Sequence, residues 1–251
     1  MDTIFSNIPL LSLCLGVGLL AGVVKGIVGF AMPMILISGL GSFISPELAL
    51  AGLIIPTVVT NGMQALRQGG KAAWHTVQQY RLFLVVGGVM ILISSQFVRI
   101  LPVEVMFAVI GVPIVLFCAM QLAGWQPVLQ ATRRVEVSVA VFAGFMGGMS
   151  GVWGPPTVAY LTALGTEKRE QMRVQGVIYG LGAVALVVAH IGSGILNAQT
   201  AQFSALMVIP AVLGMWVGSR LQDQIDQAAF KRATLVVLLV AGANLLRRAL
   251  M

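Results

Sequence analysis

Lys25 is the residue whose type and position most clearly point to chemistry. It lies in the glycine-rich stretch GVVKGIVGFAMP, from Gly22 to Pro33, within a long apolar segment. A charge at membrane depth is costly and usually functional, and a bound anion would supply the counter-charge that an isolated ammonium lacks. The alternative is that the side chain snorkels to the inner surface of the membrane. We interpret Lys25 as a candidate anion ligand.

A second glycine-rich stretch, GFMGGMSGVWGPP from Gly144 to Pro156, could bind the same kind of ligand. Glycine-rich breaks free backbone N–H groups, and a helix that starts at a break points its positive dipole end at the gap. Two such breaks facing each other would therefore form an anion site. The candidate substrate-binding residues are Lys25, Gly26, Gly29, Phe30, Thr57, Asn61, Gly148, Ser150, Gly151, Trp153, Thr157, Gln175 and Tyr179. Thr60 and Gln64 are further pathway candidates; each polar residue has the alternative role of bonding helices together.

The acidic residues and cysteines argue against several other chemistries. All eight Asp and Glu residues lie at predicted helix ends or in loops, so no carboxylate is placed to relay protons or hold sodium at mid-depth. Cys14 and Cys118 lie in separate apolar segments without a CxxC partner, which argues against metal and disulfide roles. We predict no cofactor, no metal and no catalytic residue, and an anion could leave a negative-inside cell without a coupling ion.

The composition places these residues in a membrane. Hydrophobic residues make up 58% of the 251-residue chain and charged residues 9%, whereas soluble domains carry roughly 25% charged residues. The net charge of +7 comes from basic residues in short clusters between apolar runs, which is typical of membrane topology and not of nucleic-acid binding. No Lys or Arg precedes residue 25, so the first apolar run lacks the basic region of a signal peptide. We expect that run to be kept as a membrane segment.

Two kinds of apolar segment follow one another along the chain. A spanning helix needs about 20 apolar residues, and six segments approach that length: 46–66, 80–98, 104–124, 171–191, 203–220 and 231–247. Two longer regions, 8–42 and 137–165, are interrupted by glycine and proline. Broken backbone at membrane depth is tolerated only where it is buried in protein or lines a watery cavity. These two regions therefore predict discontinuous helices or re-entrant hairpins.

The two broken regions match each other at four structural positions, all at the same spacing. The pairs are Gly22 with Gly144, Gly26 with Gly148, Gly29 with Gly151 and Pro33 with Pro155. Because three ordinary spans follow each region, the chain reads as one membrane domain, 1–251, built from inverted repeats at 1–125 and 132–251. The alternative is a chance match between glycine-rich stretches. Inverted repeats with broken helices are typical of secondary transporters.

The distribution of basic residues predicts which side each loop faces. If each broken region returns to the side where it began, one face receives 11 basic residues and the other 3. Counting each region as one crossing leaves the two faces nearly equal. The positive-inside rule then puts 67–80 and 220–232 in the cytoplasm, and 192–202 and both termini outside.

The motifs GVVKGIVGFAMPMILISGLG at 22–41 and GFMGGMSGVWGPPTVAYLTALG at 144–165 resemble those of the sulfite exporter TauE/SafE family. The resemblance covers nearly the whole chain. It implies an all-α permease of the bacterial inner membrane for sulfite, organosulfonates or other small anions; we also consider a homodimer. The chain departs from the family pattern at Lys25 and at Phe30 and Trp153, where a denser glycine run is usual, so the substrate stays open.

Two alternatives belong to other classes of protein. Gly148-Met149-Ser150-Gly151 and Ala189-His190-Ile191-Gly192 resemble the serine and histidine motifs of rhomboid intramembrane proteases, in which a Ser–His pair transfers an acyl group. The rest of the rhomboid pattern is missing, including the early histidine-asparagine pair. A non-transporting membrane scaffold is the other alternative, but it would not need two broken helices. We therefore expect a permease and not an enzyme.

Overall fold

The computed structural model describes residues 7–94, 103–125, 130–150, 153–192 and 194–250. The regular secondary structure of these residues is α-helix. We number these helices in chain order. They are α1 (Ile8–Val28), α2 (Met32–Leu40), α3 (Pro46–Leu66), α4 (Gly70–Gln79), α5 (Arg81–Ser94), α6 (Val103–Leu122), α7 (Arg133–Ser150), α8 (Gly154–Ala163), α9 (Lys168–Gly192), α10 (Ala198–Gln224) and α11 (Gln227–Ala249).

Several helices are long and apolar enough to cross a membrane. Five qualify within the described part of the chain: α1, α3, α9, α10 and α11. A sixth span is reached if α4 and α5, which meet at a 71° bend, are counted as one broken span. The predicted all-α, multi-pass membrane fold is confirmed, whereas the inverted relation of the two halves stays a prediction.

Most predicted segments have a helix at the expected place. The span predicted at 46–66 is α3 with the same bounds, and the two interrupted regions are each two helices separated by a short break. The first region divides unequally: α1 has 21 residues and is about 32 Å long, whereas α2 has nine. The stretch 67–80, expected as a loop, is largely helical because it contains α4.

Two compact units emerge from the contacts between helices. The first comprises Met1–Gly69 with Gly176–Asp226, and the second comprises Gly70–Gln175 with Gln227–Met251. Each unit therefore takes helices from both halves of the chain. This division differs from that of the predicted repeats, 1–125 and 132–251, which stay a prediction.

In the first unit, α1 packs along α10 and both α2 and α10 pack on α3. Its fully buried side chains include Cys14, Met32, Leu36, Phe203 and Met207. The Arg67 guanidinium bonds the Asp223 carboxylate at 2.5 Å. The pair joins the end of α3 to the end of α10.

The α1–α10 contact is made by glycines on both helices. They are Gly22 and Gly26 on α1 and Gly214 and Gly218 on α10. A Cβ atom at any of these four positions would meet the backbone of the facing helix more closely than real Cβ atoms come. Small residues four apart let membrane helices approach this closely, so this contact fixes α1 against α10 along two turns.

In the second unit, α5 packs on α7 and α6 packs on α11. The α5–α7 contact also rests on glycine, because Gly144 lies against the backbone of Gly87. Glu136 of α7 accepts a hydrogen bond from the Phe83 backbone N–H near the start of α5, at 3.2 Å. The ring of Phe83 stacks on Tyr160 of α8 with centroids 6.3 Å apart.

Candidate anion-binding site

The first break is a sharp turn of three residues between α1 and α2. Gly29 ends α1 in the left-handed region, with φ 85°, and its N–H donates to the Lys25 carbonyl at 2.7 Å. Ala31, which precedes α2, also has a left-handed φ of 72°. Phe30 between them is 2% exposed. The three residues of the break are fewer than one helical turn, so α2 starts close to the end of α1.

The N-terminus of α2 lacks a side-chain cap. Its cap residue, Ala31, has no side chain that can accept from the first N–H groups of the helix. Pro33 in the first turn removes one of those N–H groups and presets the backbone for a helix. The remaining free N–H groups at such a start favour an anion.

Lys25 lies on α1 one turn before this break. Its side chain is 1% exposed, and it is the one charged side chain among the fully buried residues that the structure describes. The ammonium donates to Asn61 Oδ1 of α3 at 2.5 Å and to the Gly29 carbonyl at 3.5 Å. Both acceptors are neutral, and no carboxylate of the described residues lies within salt-bridge distance of this nitrogen. The positive charge therefore has no counter-charge in this unit's described structure.

A polar stripe on α3 faces the break. Thr57, Asn61 and Gln64 follow one another at intervals of four and three residues, and each is at most 4% exposed. Gln64 Nε2 donates to the Gly29 carbonyl at 3.1 Å, so two side chains, from Lys25 and Gln64, reach the same carbonyl. Asn61 and Gln64 thus tie α3 to the end of α1.

Thr57 of this stripe and the nearby Thr60 bond carbonyls of their own helix, and Thr60 Oγ1 also lies 3.7 Å from Met32 Sδ of α2. Thr57 Oγ1 donates to the Leu53 carbonyl at 2.6 Å, and Thr60 Oγ1 donates to the Pro56 carbonyl at 2.7 Å. Pro56 lies inside α3, and the neighbouring Ile55 N–H donates to Ser204 Oγ of α10 at 3.1 Å. This bond joins α3 to α10 beside the proline.

The second break lies in the second unit, between α7 and α8. Trp153 precedes α8 and gives its first turn no side-chain cap, and Pro155 and Pro156 follow. Thr157 is fully buried, and its hydroxyl donates to the Trp153 carbonyl at 3.0 Å. Both short arms, α2 and α8, therefore start at prolines without a side-chain cap.

The remaining predicted residues are spread over several helices. Gly148 and Ser150 belong to α7, but their side-chain surroundings are not described, and Gly151 lies outside the described residues. Gln175 and Tyr179 are buried on α9, with Gln175 in the second unit and Tyr179 in the first. His190 is also in the α9 part of the first unit, whereas Ser150 is in the second. The described bonds bring together Lys25, Gly29 and Asn61 of the predicted set.

Two glycines expected at the first break lie elsewhere. Gly22 and Gly26 are inside α1 and pack on α10, and the break itself occupies 29–31. A glycine inside a membrane helix does not have to break the helix, because its small size also permits close packing against a neighbouring helix. The binding role of Gly26 stays a prediction, and its α-carbon faces the α10 backbone.

Two features of the site were missed by sequence reasoning. One is the Gly29 carbonyl, a backbone acceptor shared by Lys25 and Gln64, which no side-chain pattern reveals. The other is the pairing of Lys25 with Asn61. The four- and three-residue spacing of Thr57, Asn61 and Gln64 was a usable signal, because it places all three on one helical face.

Comparison with protein families gives one match. The family model described as "Sulfite exporter TauE/SafE" matches residues 14–245, which includes both breaks and nearly all the described helices. No curated protein and no solved structure matches the chain.

Proposed function

Because the chain belongs to the sulfite exporter TauE/SafE family, we propose that it carries a small sulfur-containing anion, sulfite or an organosulfonate, out of the cell. Members of this family are membrane transporters of sulfite-type anions and not enzymes. The proposal adds the direction of transport, the bacterial inner membrane as the location, and Lys25 as the charge that binds the anion.

The observation that carries the proposal is the buried Lys25 ammonium with two neutral acceptors. An ammonium removed from water without a counter-charge is costly. An anion bound beside it lowers that cost, and the uncapped start of α2 offers backbone donors at the same break. Lys25 and the break together therefore supply both a charge and directional hydrogen bonds.

The membrane potential supports export as the direction of transport. An anion that leaves a negative-inside cell gains roughly 2.3 kcal/mol per charge per 100 mV. Export can therefore run without a coupling ion, whereas concentrative uptake of the same anion would need one.

The test is a flux assay in proteoliposomes that contain the purified protein. We expect efflux of sulfite and of methanesulfonate, driven by an imposed potential, that empty liposomes lack.

Lys25→Met should raise the KM roughly ten- to a hundredfold, because it removes a charge-assisted hydrogen bond worth about 1.5–3 kcal/mol. Met fills similar space without needing a counter-charge, so the variant should fold.

The matched control is Lys71→Met, the same exchange at an exposed lysine of α4. It should leave the KM unchanged. Unchanged KM in Lys25→Met would show that recognition rests on backbone amides and hydroxyls. Absence of flux for every anion tried with folded wild-type protein would overturn the transport proposal itself.

A further inference from the structure

The single buried ammonium described in the first unit bears on the charge of the anion that the protein transports. We infer that the permease selects singly charged anions, such as hydrogen sulfite or an alkanesulfonate, over dianions such as sulfate or thiosulfate. The inference rests on the proposed function and deepens it, because it defines what Lys25 can neutralise.

Among the residues that the structure describes in this unit, Lys25 alone places a positive charge at the first break. The other basic side chains described in this unit lie outside the buried set: Arg67 is paired with Asp223, and the Arg220 guanidinium stacks on the Trp216 ring at 3.8 Å. Lys25 is fully buried and its acceptors, Asn61 and the Gly29 carbonyl, carry no net charge. None of the ammonium's charge is therefore neutralised before the anion arrives.

The helix dipoles add little to this charge. The C-terminus of α1 and the N-terminus of α2 meet at the same break, and helix ends carry about half a charge of opposite sign. Their contributions offset each other. The site therefore balances one negative charge, and a dianion would leave a second charge buried and uncompensated, which is costly.

Asn61 occupies the place that an anion oxygen would take. Its Oδ1 is the shorter of the two contacts of the Lys25 ammonium, at 2.5 Å compared with 3.5 Å to the Gly29 carbonyl. An arriving anion replaces this carboxamide oxygen with a charged one, which makes a stronger hydrogen bond to an ammonium. Asn61 is thus the side chain that the anion displaces, and a negative charge placed at this position would oppose the binding of an anion.

The valence test uses wild-type protein in proteoliposomes and three probes. Methanesulfonate is singly charged and thiosulfate doubly charged throughout the neutral range, whereas sulfite changes from hydrogen sulfite to the dianion as pH rises. We expect methanesulfonate flux. The KM for total sulfite should rise with pH relative to the methanesulfonate KM, in proportion to the loss of hydrogen sulfite. Thiosulfate should bind more weakly by roughly tenfold or more.

A pair of variants at Asn61 tests the displacement. Asn61→Asp gives Lys25 a permanent counter-charge and should weaken methanesulfonate binding roughly ten- to a hundredfold. Asn61→Leu, which has similar size and no charge, removes the competing acceptor and should bind methanesulfonate much more tightly than Asn61→Asp does. Equal weakening in both variants would overturn the displacement by showing that Asn61 itself holds the anion.

The outcomes separate this inference from the proposed function. If thiosulfate and methanesulfonate are carried equally well, and sulfite KM does not follow the hydrogen sulfite fraction, the valence inference is wrong while the permease stands. If no probe crosses the membrane, the permease proposal is wrong. The valence measurement needs no variant, so a folding failure at Asn61 would not obscure it.

Discussion

Ala31 and Gly29, two residues apart, both have a left-handed backbone conformation, with φ of 72° and 85°. A left-handed conformation costs an L-residue roughly 1–2 kcal/mol and costs glycine nothing comparable. Strained backbone of this kind persists where surrounding packing enforces it and is concentrated at functional sites. Here the buried Phe30 between the two residues and the start of α2 after them maintain the turn.

Replacing this alanine tests the strain. Ala31→Gly removes the steric cost but adds roughly 0.4–1 kcal/mol of unfolded-state entropy, so we expect a net stabilisation of up to about 1 kcal/mol. Ala51→Gly, a buried position inside α3, is the control and should destabilise by about 1 kcal/mol or more. The measurement is thermal unfolding in detergent micelles. A similar loss of stability in both variants would show that Ala31 is not strained.

Sequence reasoning singled out the buried polar residues near the first break, but it did not predict the geometry of the break. Lys25 was recognised because a lysine inside an apolar segment is unusual, and Asn61 because polar residues recur on one face of a spanning segment. The left-handed Ala31 could not be anticipated, since alanine is the strongest helix former and only the surrounding packing forces it out of a helix. Whether these residues bind the anion stays a prediction.

At the scale of the helices, glycine has two roles that a sequence does not distinguish. Gly29 ends α1, whereas Gly22, four residues beyond Gly18 and seven before Gly29, faces the Ala211 carbonyl of α10. Both occur in the same glycine-rich stretch. The sequence therefore predicted a break over 22–33, and the structure confines it to 29–31, because α1 continues wherever its glycines are packed on a partner.

The packing role of Gly22 can be tested by one methyl group. Gly22→Ala would place a Cβ against the α10 backbone, which cannot move aside as a side-chain tip can. We expect a loss of about 1–3 kcal/mol of stability, the usual cost of overpacking. Gly16→Ala on the same helix is the matched control, because nothing lies within 4 Å of its added Cβ. It should be neutral or slightly stabilising in the same detergent unfolding assay, and an equal effect at both positions would contradict the packing role.

At the scale of the whole molecule, the sidedness of the loops is open to direct measurement. The basic residues predict that 67–80 and 220–232 face the cytoplasm and 192–202 faces outside. Single cysteines at Lys71 and Asn197, both exposed, can be labelled with a membrane-impermeant maleimide. The native Cys14 and Cys118 are buried and are replaced first.

We expect position 197 to react in intact cells and position 71 to react only after the membrane is opened. The reverse pattern would invert the assignment and would bring transport by the same site into question. Reaction of both positions in intact cells would contradict the predicted odd number of crossings between them.

The sequence predicted where apolar helices lie better than which helices pack together. Apolar length alone indicates a span, so α3 was found with its bounds. The amphipathic α4 was missed because Gly69 and Gly70 resemble a loop. The assembly of α1–α3 with α10 depends on glycines of α10, Gly214 and Gly218, whose partners are nearly two hundred residues earlier and cannot be found by local pattern.

That long separation has a consequence for the order in which the protein is made. The face of α1 formed by Gly22 and Gly26 has its partner in α10, which begins at Ala198. A growing chain must therefore insert α1, α2 and α3, including the Lys25 charge, and hold them in lipid until α10 leaves the ribosome. During that interval Gly22 and Gly26 lack the α10 helix that packs against them, and the first unit around Lys25 is incomplete. Translation that stalls before α10 leaves an unpaired helix with a charge inside it, which is the kind of surface that membrane quality control recognises.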